Sequence, residues 1–315
     1  MRSKYDSLCV VDSVYSLFLF FLIKKGAIES TLFIISDAIP EDIAKNLPNS
    51  IFFPTFRKSR FSHIRRLAYC LGYKIFVKGR RVINYKDLEV FAQDHLFYSF
   101  VFLTKKYNLL EDGLGNYVIH KKSLSSRLRC ILLGGKEWGD NLKASRVFLT
   151  GLSDIPSNLQ KKVTLINIEE MWQELIDDDK YKILNIFGLN NDIVENKIDT
   201  VLLTQPFSEE NVMTEKEKVD VYNSIMVNYP GSYFLKPHPR EMTNYSAIMS
   251  NDVFVLPKSF PFQLLMLIKP PKRVVTCFST VAYGSFNGQV KIHGTEFNEK
   301  LLNRYGRIKS NLDDR

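Results

Sequence analysis

The alternation of short apolar segments with amphipathic ones constrains the fold of this chain more than any other feature. The strand-like segments SLCVV (7–11), TLFIIS (31–36) and IFFPT (51–55) are each followed by a helix-like segment. Strands that alternate with helices are typical of βαβ units, in which parallel strands form one sheet with helices on its faces. The sequence therefore predicts an α/β fold with a parallel, doubly wound sheet.

The alternation occurs twice, which predicts two domains. After strand-like KVTLIN (162–167), the acidic DDDKYK (177–182) resembles a linker or a helix end, and the alternation restarts at TVLLTQ (200–205). A chain of 315 residues fits two domains of ordinary size. We therefore expect two Rossmann-like domains facing each other across a cleft, with the boundary after residue 180 and the second domain over 181–315.

Two features predict where the protein resides. The apolar stretch VYSLFLFFLI (14–23) is too short to cross a bilayer and lacks a signal-peptide cleavage pattern, so we expect a buried first helix. The four cysteines are far apart and none has metal-ligand spacing. Three of them lie in apolar runs, where a free cysteine behaves as a small buried hydrophobe, and this favours a reducing compartment. We therefore expect a cytoplasmic protein.

The formal net charge of +9 indicates acidic partners, such as nucleotide phosphates, anionic sugars, nucleic acid or an anionic membrane. An ordinary solvated surface is the alternative. The chain has no basic stripe with interleaved aromatic residues and no known nucleic-acid motif, so we expect no nucleic-acid partner. Peripheral contact with the inner face of the cytoplasmic membrane and a homodimer remain open alternatives.

Several phosphate- and metal-binding motifs are absent. LLGGKEWG (132–139) is not a P-loop, because Glu137 follows Lys136 where Ser or Thr belongs. A GxGxxG fingerprint fails because Val118 occupies the place of the third glycine. IDDD (176–179) imitates a metal-binding DxD, but three acids in this setting are more typical of a solvated helix end. We expect no metal and no cofactor.

Three loops at the carboxyl ends of predicted strands carry side chains suited to chemistry. They are Glu111-Asp112-Gly113, the segment KPHPR (236–240) and the segment FST (278–280). Open α/β sheets bind ligands at this edge. We therefore expect the functional residues to come from these loops.

The second and third loops are suited to an anion. Prolines on both sides of His238 restrict its backbone, and Lys236 and Arg240 lie nearby, so a phosphate is the favoured ligand; the alternative is a surface turn. Ser279 and Thr280 lie where a strand gives way to a predicted helix. Their hydroxyls and the free N–H groups of that helix start could hold a phosphate, or they could form a plain N-cap.

The first loop offers a proton acceptor. Gly113 and Gly115 permit a tight turn after the acidic pair Glu111 and Asp112. A carboxylate exposed on such a turn can act as a general base, whereas an ordinary polar turn is the alternative.

Taken in order, E-D-G-x-G-N-Y, K-P-H-P-R and F-S-T resemble the bacterial sialyltransferases of glycosyltransferase family 52, which make lipooligosaccharide and capsule termini. Related bacterial sialyl- and polysialyltransferases share this three-part pattern. The resemblance implies a GT-B-like fold. It also implies inverting transfer of sialic acid from CMP-sialic acid to a hydroxyl of a terminal sugar of a surface glycan, with galactose expected, without a metal or a cofactor.

The resemblance also implies residue roles. Asp112 would be the general base, with Glu111 and Gly113 supporting it. His238 would meet the CMP phosphate, as general acid or as electrostatic stabiliser. Relatives can instead carry the base on the first loop of the second domain, here TQPFSEE (204–210), which offers Glu209 and Glu210 as alternatives.

Further CMP contacts follow from the same resemblance: Lys236, Pro237, Gln263, Ser279 and Thr280. Ser279 and Thr280 would hold the phosphate. Gln263 lies in SFPFQLL (259–265), at the position where the resemblance predicts a glutamate that binds the ribose. Its amide can still accept and donate hydrogen bonds.

Three other functions are compatible with parts of this pattern. A polysialyltransferase shares the same motifs and would need a long basic groove. Another GT-B glycosyltransferase of capsule or lipooligosaccharide synthesis would share the architecture without the three motifs. A basic nucleic-acid-binding protein is the remote alternative, and it would bind DNA with a steep salt dependence.

Overall fold

The computed structural model describes residues 4–56, 62–80, 87–118, 127–128, 130–131, 135–189, 199–229, 231–248, 253–279 and 288–312. The chain divides into two compact units, Met1–Phe187 (unit 1) and Gly188–Arg315 (unit 2). The predicted boundary after residue 180 falls inside the last described helix of unit 1, Asp177–Ile186. Both units are α/β with parallel sheets, as the alternation predicted.

Within the described ranges, unit 1 contains a seven-stranded parallel sheet. Its strands are β1 (Ser7–Val10), β2 (Thr31–Ser36), β3 (Ser50–Phe53), β4 (Glu89–Ala92), β5 (Tyr107–Leu110), β6 (Ala144–Leu149) and β7 (Val163–Leu165). They lie in the order β3-β2-β1-β4-β5-β6-β7, and every neighbouring pair is parallel. The order reverses between β1 and β4, which is where such sheets open a crevice at their carboxyl edge.

The described helices of unit 1 are α1 (Val14–Ile23), α2 (Glu41–Asn46), α3 (Ser62–Arg80), α4 (Ser99–Phe102), α5 (Ile168–Gln173) and α6 (Asp177–Ile186). Ser13 caps α1, because its side chain accepts a hydrogen bond from the backbone N–H of Ser16. Most of α1 is buried, and Phe20 contacts Phe33 and Phe91 edge to face at 5.6 and 5.3 Å between ring centroids. The expectation of a buried first helix is confirmed. Among the described residues, no helix has the length and apolarity needed to span a membrane.

In its described part, unit 2 contains a five-stranded parallel sheet in the order β10-β9-β8-β11-β12. The strands are β8 (Thr200–Leu203), β9 (Tyr233–Lys236), β10 (Val253–Val255), β11 (Arg273–Thr276) and β12 (Gln289–Ile292). The described helices are α7 (Glu215–Met226), α8 (Tyr245–Ile248), α9 (Phe262–Ile268) and α10 (Glu299–Tyr305). The order reverses between β8 and β11, so the loops after these two strands lie where an open α/β sheet forms its ligand crevice.

The acids of DDDKYK begin a helix and do not form a linker. Asp177, Asp178 and Asp179 occupy the first turn of α6, where carboxylates interact favourably with the helix dipole. Asp178 also pairs with Lys182 at 2.7 Å, one turn later.

The segment HLFYSFVFLTKK (95–106) predicts a helix over its whole length. This prediction was wrong in extent, because α4 covers only Ser99–Phe102. The hydroxyl of Ser99 donates to the backbone carbonyl of Gln93, which keeps the preceding residues in a strand-end loop. Strand β12 and helix α10 follow the last element that the sequence predicted.

Candidate active-site residues

The acidic pair of unit 1 lies directly after β5, as predicted, but its two carboxylates have different surroundings. Glu111 is fully buried. Its carboxylate accepts hydrogen bonds from the hydroxyls of Tyr15 (3.2 Å), Tyr117 (2.9 Å) and Thr150 (3.0 Å), and from the Thr150 N–H. Burial raises the pKa of Glu111, and these hydrogen bonds oppose the rise. Glu111 therefore joins α1, the end of β6 and the short 3₁₀ helix Gly115–Tyr117 to the loop.

Asp112 is the solvent-accessible member of the pair, with 26% of its side chain exposed. Its backbone N–H donates to the side-chain oxygen of Asn116 at 2.6 Å. Gly113 has φ +75°, a conformation that glycine adopts without strain and that turns the chain after Asp112. The carboxylate is therefore accessible to solvent on a backbone that is held in place.

His95 is a partner of Asp112 that the sequence analysis missed. Its Nε2 lies 3.1 Å from Oδ2 of Asp112, and its ring stacks on Trp138 at 3.9 Å between centroids and 4° between planes. His95 follows β4, which is the neighbour of β5 in the sheet. The available signal was the polar triplet QDH (93–95) directly after a buried strand, at the same edge as the acidic loop. An Asp–His pair of this kind can orient a carboxylate and move a proton.

Buried contacts hold Trp138 against His95. The carboxylate of Asp94 accepts hydrogen bonds from the backbone N–H groups of Trp138 (2.7 Å) and Gly139 (2.9 Å) and from the Tyr107 hydroxyl (2.7 Å). A Cβ on Gly115 would lie 2.9 Å from the Trp138 ring. Gly115 is therefore required for this close approach. The LLGGKEWG segment, which is not a P-loop, contributes this tryptophan.

In unit 2, His238 follows β9 with a defined ring tautomer. Its backbone N–H donates to Oε1 of Glu241 at 2.6 Å, and its ring Nδ1 accepts the backbone N–H of Arg240 at 3.1 Å. A nitrogen that accepts a hydrogen bond cannot carry the proton, so the proton of the neutral ring is on Nε2. Burial lowers the pKa of His238, and the positive charges of Arg240 and Lys236 lower it further. The ring is therefore neutral near pH 7, with Nε2 as a donor.

Glu241 was also missed, although it directly follows KPHPR. It is buried, and besides the His238 N–H its carboxylate accepts the hydroxyls of Thr204 and Tyr245. The Lys218 Nζ lies 3.6 Å away. Glu241 thus joins the His238 loop to the end of β8 and to α7 and α8, as Glu111 does for the loop of unit 1.

Lys236 is buried beside this loop. Its Nζ donates to the carbonyls of Pro237 (2.8 Å) and Lys258 (2.9 Å). Burial lowers the pKa of Lys236 to about 8, so it remains largely cationic at neutral pH. It therefore supplies positive charge near His238.

The other predicted CMP contacts lie on different elements of unit 2. Ser279 follows β11, and its backbone N–H donates to Oγ1 of Thr276 at 3.0 Å. In the sheet order, β8 separates β11 from β9, which carries His238. Gln263 is half-buried in the first turn of α9. Thr280 and the helix start predicted after it lie outside the described residues.

Both alternative bases are engaged with cations. Glu209 pairs with Lys218 at 3.0 Å and accepts the Met242 N–H at 2.6 Å. Burial would raise the pKa of Glu209, but the Met242 N–H and Lys218 outweigh it and lower the pKa to about 2. Glu210 pairs with Arg240 at 2.8 Å and accepts the Tyr305 hydroxyl at 2.8 Å.

Among the described residues, no group of three or more His, Cys, Asp or Glu side chains is arranged to hold a metal ion. Two of the IDDD acids are engaged with lysines on the same helix, Asp178 with Lys182 and Asp177 with Lys180 at 3.7 Å.

The sequence pattern of glycosyltransferase family 52 matches residues 57–301, which is most of the chain. The chain belongs to glycosyltransferase family 52. A protein of Haemophilus influenzae strain Rd is 32% identical over 311 residues, which cover 95% of this chain and 98% of that one. The resemblance drawn from the three loops is therefore confirmed at the level of the family, and the protein is a glycosyltransferase.

Solved structures confirm the GT-B-like fold of this family 52 glycosyltransferase. An α/β-galactoside α-2,3-sialyltransferase of Photobacterium phosphoreum matches with a TM-score of 0.57 and 13% identity, over 96% of this chain and 95% of that one. A 2,6-sialyltransferase of a Photobacterium species, solved with CMP and lactose, matches with a TM-score of 0.59 and 12% identity, over 90% of this chain and 70% of that one. At these identities the likeness concerns the fold.

The buried lysine of unit 2 leads to a stability prediction. Lys218 is fully buried between Glu209, Glu215 and Glu241, at 3.0, 3.4 and 3.6 Å. Lys218→Met leaves three carboxylates together without their cation, so we expect a loss of about 3–5 kcal/mol in the free energy of unfolding. Urea-induced unfolding measures it.

The matched control is Lys216→Met, at an exposed position on the same helix, where a change within about 0.5 kcal/mol is expected. Equal unfolding midpoints for the two variants would contradict the stabilising role of the buried ion-pair cluster.

Proposed function

We propose that this family 52 glycosyltransferase transfers sialic acid from CMP-sialic acid to a hydroxyl group of a terminal galactose on a lipooligosaccharide or capsule glycan, with inversion and without a metal. Three strand-end motifs in the order of the bacterial sialyltransferases support it. The two Photobacterium enzymes of the same fold are sialyltransferases, and one of them binds CMP and lactose.

The state of His238 is the observation that carries this proposal. Breaking the bond between sialic acid and CMP leaves a phosphate monoester, whose second pKa is about 6, so the departing group needs no proton near pH 7. It needs donors and positive charge that stabilise the developing negative charge. A neutral His238 with its proton on Nε2, beside the buried cation of Lys236, meets this need. Of the two roles expected for His238, we therefore propose electrostatic stabiliser.

Asp112 is the proposed general base. In an inverting displacement the acceptor oxygen attacks the anomeric carbon, the bond to the CMP phosphate breaks, and one proton leaves the acceptor hydroxyl. Asp112 is partly exposed and has His95 to orient its carboxylate. Glu209, with a pKa of about 2, is a weak proton acceptor, and the carboxylate of Glu210 is engaged by Arg240 and Tyr305.

Ser279, Thr280 and Gln263 complete the proposal as donor-binding residues. Ser279 follows β11, at the reversal point of the sheet, where nucleotide phosphates bind in open α/β sheets. Gln263, half-buried in the first turn of α9, has both a donor and an acceptor for the ribose hydroxyls.

The direct test is incubation of the purified chain with CMP-sialic acid and lactose. We expect CMP release that depends on lactose, together with an equal amount of sialyllactose, followed by chromatography and NMR. Omission of lactose is the control for hydrolysis. No CMP binding by calorimetry and no CMP release with any galactoside would show that the proposed donor is wrong.

The base assignment predicts different effects for three conservative variants. Asp112→Asn should lower kcat/KM by about 10²–10⁴-fold, because the amide cannot accept the proton. Glu209→Gln and Glu210→Gln should retain most of the turnover, since neither is proposed to touch the acceptor. Initial rates with saturating CMP-sialic acid and varied lactose measure this, with thermal unfolding as the check on folding. Near-normal turnover in Asp112→Asn with inactive Glu209→Gln or Glu210→Gln would move the base to the second unit.

The His238 assignment predicts the pH profile. The pKa of His238 is lowered below its ordinary value of 6.5, so raising the pH through that lowered pKa produces the neutral ring. A neutral donor predicts that kcat/KM does not fall between about pH 6.5 and 7.5, and that it declines only as Lys236 loses its proton near pH 8. An essential imidazolium would instead give a decline as the pH rises through the lowered pKa.

His238→Ala should lower kcat by about 10²-fold or more, as for the loss of a charge-stabilising donor.

A further inference from the structure

An exposed arginine lies in the loop that carries His238. The backbone N–H of Arg240 donates to Nδ1 of the His238 ring at 3.1 Å, whereas 67% of the Arg240 side chain is exposed to solvent. Burial lowers the pKa of His238, and the positive charge of Arg240 is the next largest cause, so the guanidinium and the ring interact electrostatically. Arg240 is therefore an accessible cation beside the residue proposed to stabilise the departing phosphate.

A carboxylate of the chain itself fits between this cation and a tyrosine. Nη2 of Arg240 lies 2.8 Å from Oε1 of Glu210, and Oε2 of Glu210 accepts the Tyr305 hydroxyl at 2.8 Å. Burial raises the pKa of Tyr305 to about 12, so its hydroxyl is protonated and donates. We call Arg240 and Tyr305 the carboxylate clamp, because each of them donates to one oxygen of the carboxylate.

The carboxylate clamp lies at the crevice edge of the sheet in unit 2. Tyr305 is the last residue of α10, and its ring packs on Phe278 at 4.8 Å between centroids. Phe278 directly precedes Ser279, which is proposed to bind the donor phosphate. Arg240 follows β9, Glu210 follows β8 and Phe278 follows β11, which are three adjacent strands. The clamp therefore connects the loops on both sides of the reversal point.

A ligand carboxylate can take the place of Glu210 at little cost. Exposed ion pairs contribute little net stability, because water solvates both groups and the pair restricts two long side chains. Glu210 has 24% of its side chain exposed, so its carboxylate has access to water when it leaves the clamp. A ligand carboxylate brings the same two acceptor oxygens, and the donors of Arg240 and Tyr305 remain satisfied.

The proposed donor has a carboxylate in the appropriate position. In CMP-sialic acid a carboxylate and the phosphate oxygen are bonded to the same anomeric carbon. In the proposed function the phosphate binds near His238 and Ser279, so the carboxylate must lie near the same two loops. A guanidinium is planar and can bind a carboxylate through two parallel hydrogen bonds.

We propose that the carboxylate clamp of Arg240 and Tyr305 binds the carboxylate of the donor sugar in place of Glu210. The clamp thereby selects nucleotide sugars that carry an acid group on the anomeric carbon. A nucleotide with a neutral sugar cannot replace Glu210, because it offers the clamp no second anion. This inference rests on the proposed function and extends it to the recognition of the sugar.

Isothermal titration calorimetry of the full chain with three ligands tests the clamp without an acceptor. The ligands are CMP, CMP-sialic acid and the methyl ester of CMP-sialic acid, in which the sugar carboxylate is masked. We expect the acid to bind about 10–100-fold more tightly than the ester, as for the loss of hydrogen bonds between charged groups. Equal affinity for the acid and the ester overturns the proposal.

Arg240→Gln removes the cation of the clamp. It should weaken the binding of CMP-sialic acid by about 10–100-fold and leave the binding of CMP unchanged. Its preference for the acid over the ester should fall close to one, because the variant and the ester remove the same interaction. Arg240→Lys keeps the charge without the planar geometry and should be intermediate. Equal losses for CMP and CMP-sialic acid would make Arg240 a phosphate contact and overturn the proposal.

The matched control is Arg307→Gln. Arg307 is an arginine of the same unit with 68% of its side chain exposed, and it pairs with Glu296 at 2.8 Å. This variant should bind all three ligands as the unchanged chain does. Thermal unfolding of both arginine variants checks that they fold. Equal loss of CMP-sialic acid binding in Arg307→Gln and Arg240→Gln would contradict a specific role for the clamp.

Glu210→Gln tests the exchange of carboxylates. The variant removes the competing charge, so we expect CMP-sialic acid to bind up to about fivefold more tightly, with no change for CMP. Glu210 does not contact the bound donor in this arrangement, which agrees with retained turnover at saturating CMP-sialic acid. Weaker binding of both ligands would show that the ion pair only supports the loops, and would overturn the exchange.

Failure of the clamp differs from failure of the proposed function. If neither CMP nor CMP-sialic acid binds the unchanged chain, the proposed donor is wrong and the clamp is wrong with it. If only the clamp is wrong, CMP-sialic acid still binds and is turned over with lactose, but the acid and the ester bind equally.

Discussion

A buried, hydrogen-bonded glutamate at the carboxyl edge of the sheet is the interaction on which the loop of Asp112 and the loop of His238 each depend. Burying a carboxylate is costly unless donors replace its water, and here the donors come from separate elements. The Glu111 carboxylate accepts hydrogen bonds from the hydroxyls of Tyr15, Tyr117 and Thr150. The Glu241 carboxylate accepts hydrogen bonds from the hydroxyls of Thr204 and Tyr245 and from the backbone N–H of His238 in its own loop. Each glutamate therefore ties a strand-end loop to several neighbouring elements at once.

The residues proposed for chemistry lie close to these anchors in the chain. Asp112 follows Glu111 directly, and His238 precedes Glu241 by one short turn whose backbone also sets the tautomer of the ring. Each unit thus separates two tasks, with one polar group buried to hold the loop and a neighbour left accessible to react. Such prior placement is how a site avoids the entropic cost of ordering its groups during reaction.

Local sequence patterns predicted much of the fold. The apolar run TLFIIS became β2 over Thr31–Ser36, and VYSLFLFFLI became α1 over Val14–Ile23, because these patterns depend on burial of the segment itself. The prediction of a helix over 95–106 was wrong in extent, because contacts other than burial of the segment determine its backbone conformation. Its apolar residues are buried or half-buried, but the Ser99 hydroxyl donates to the Gln93 carbonyl, and only the four residues Ser99–Phe102 are helical. All of these segments are apolar because they are buried. Their composition therefore does not determine the backbone conformation, which depends on tertiary contacts.

The sequence by itself determined the α/β class, the two series of strands and helices, and the positions of the strand-end loops that carry polar side chains. It did so because hydrophobic periodicity and strand-end motifs are properties of neighbouring residues. Only the tertiary structure decided which of those side chains meet. His95 reaches Asp112 because β4 lies beside β5 in the sheet, and Lys218 is buried among Glu209, Glu215 and Glu241 because α7 packs against the loops that follow β8 and β9. Strand order and helix packing bring together residues distant in the chain, and no local pattern encodes that proximity.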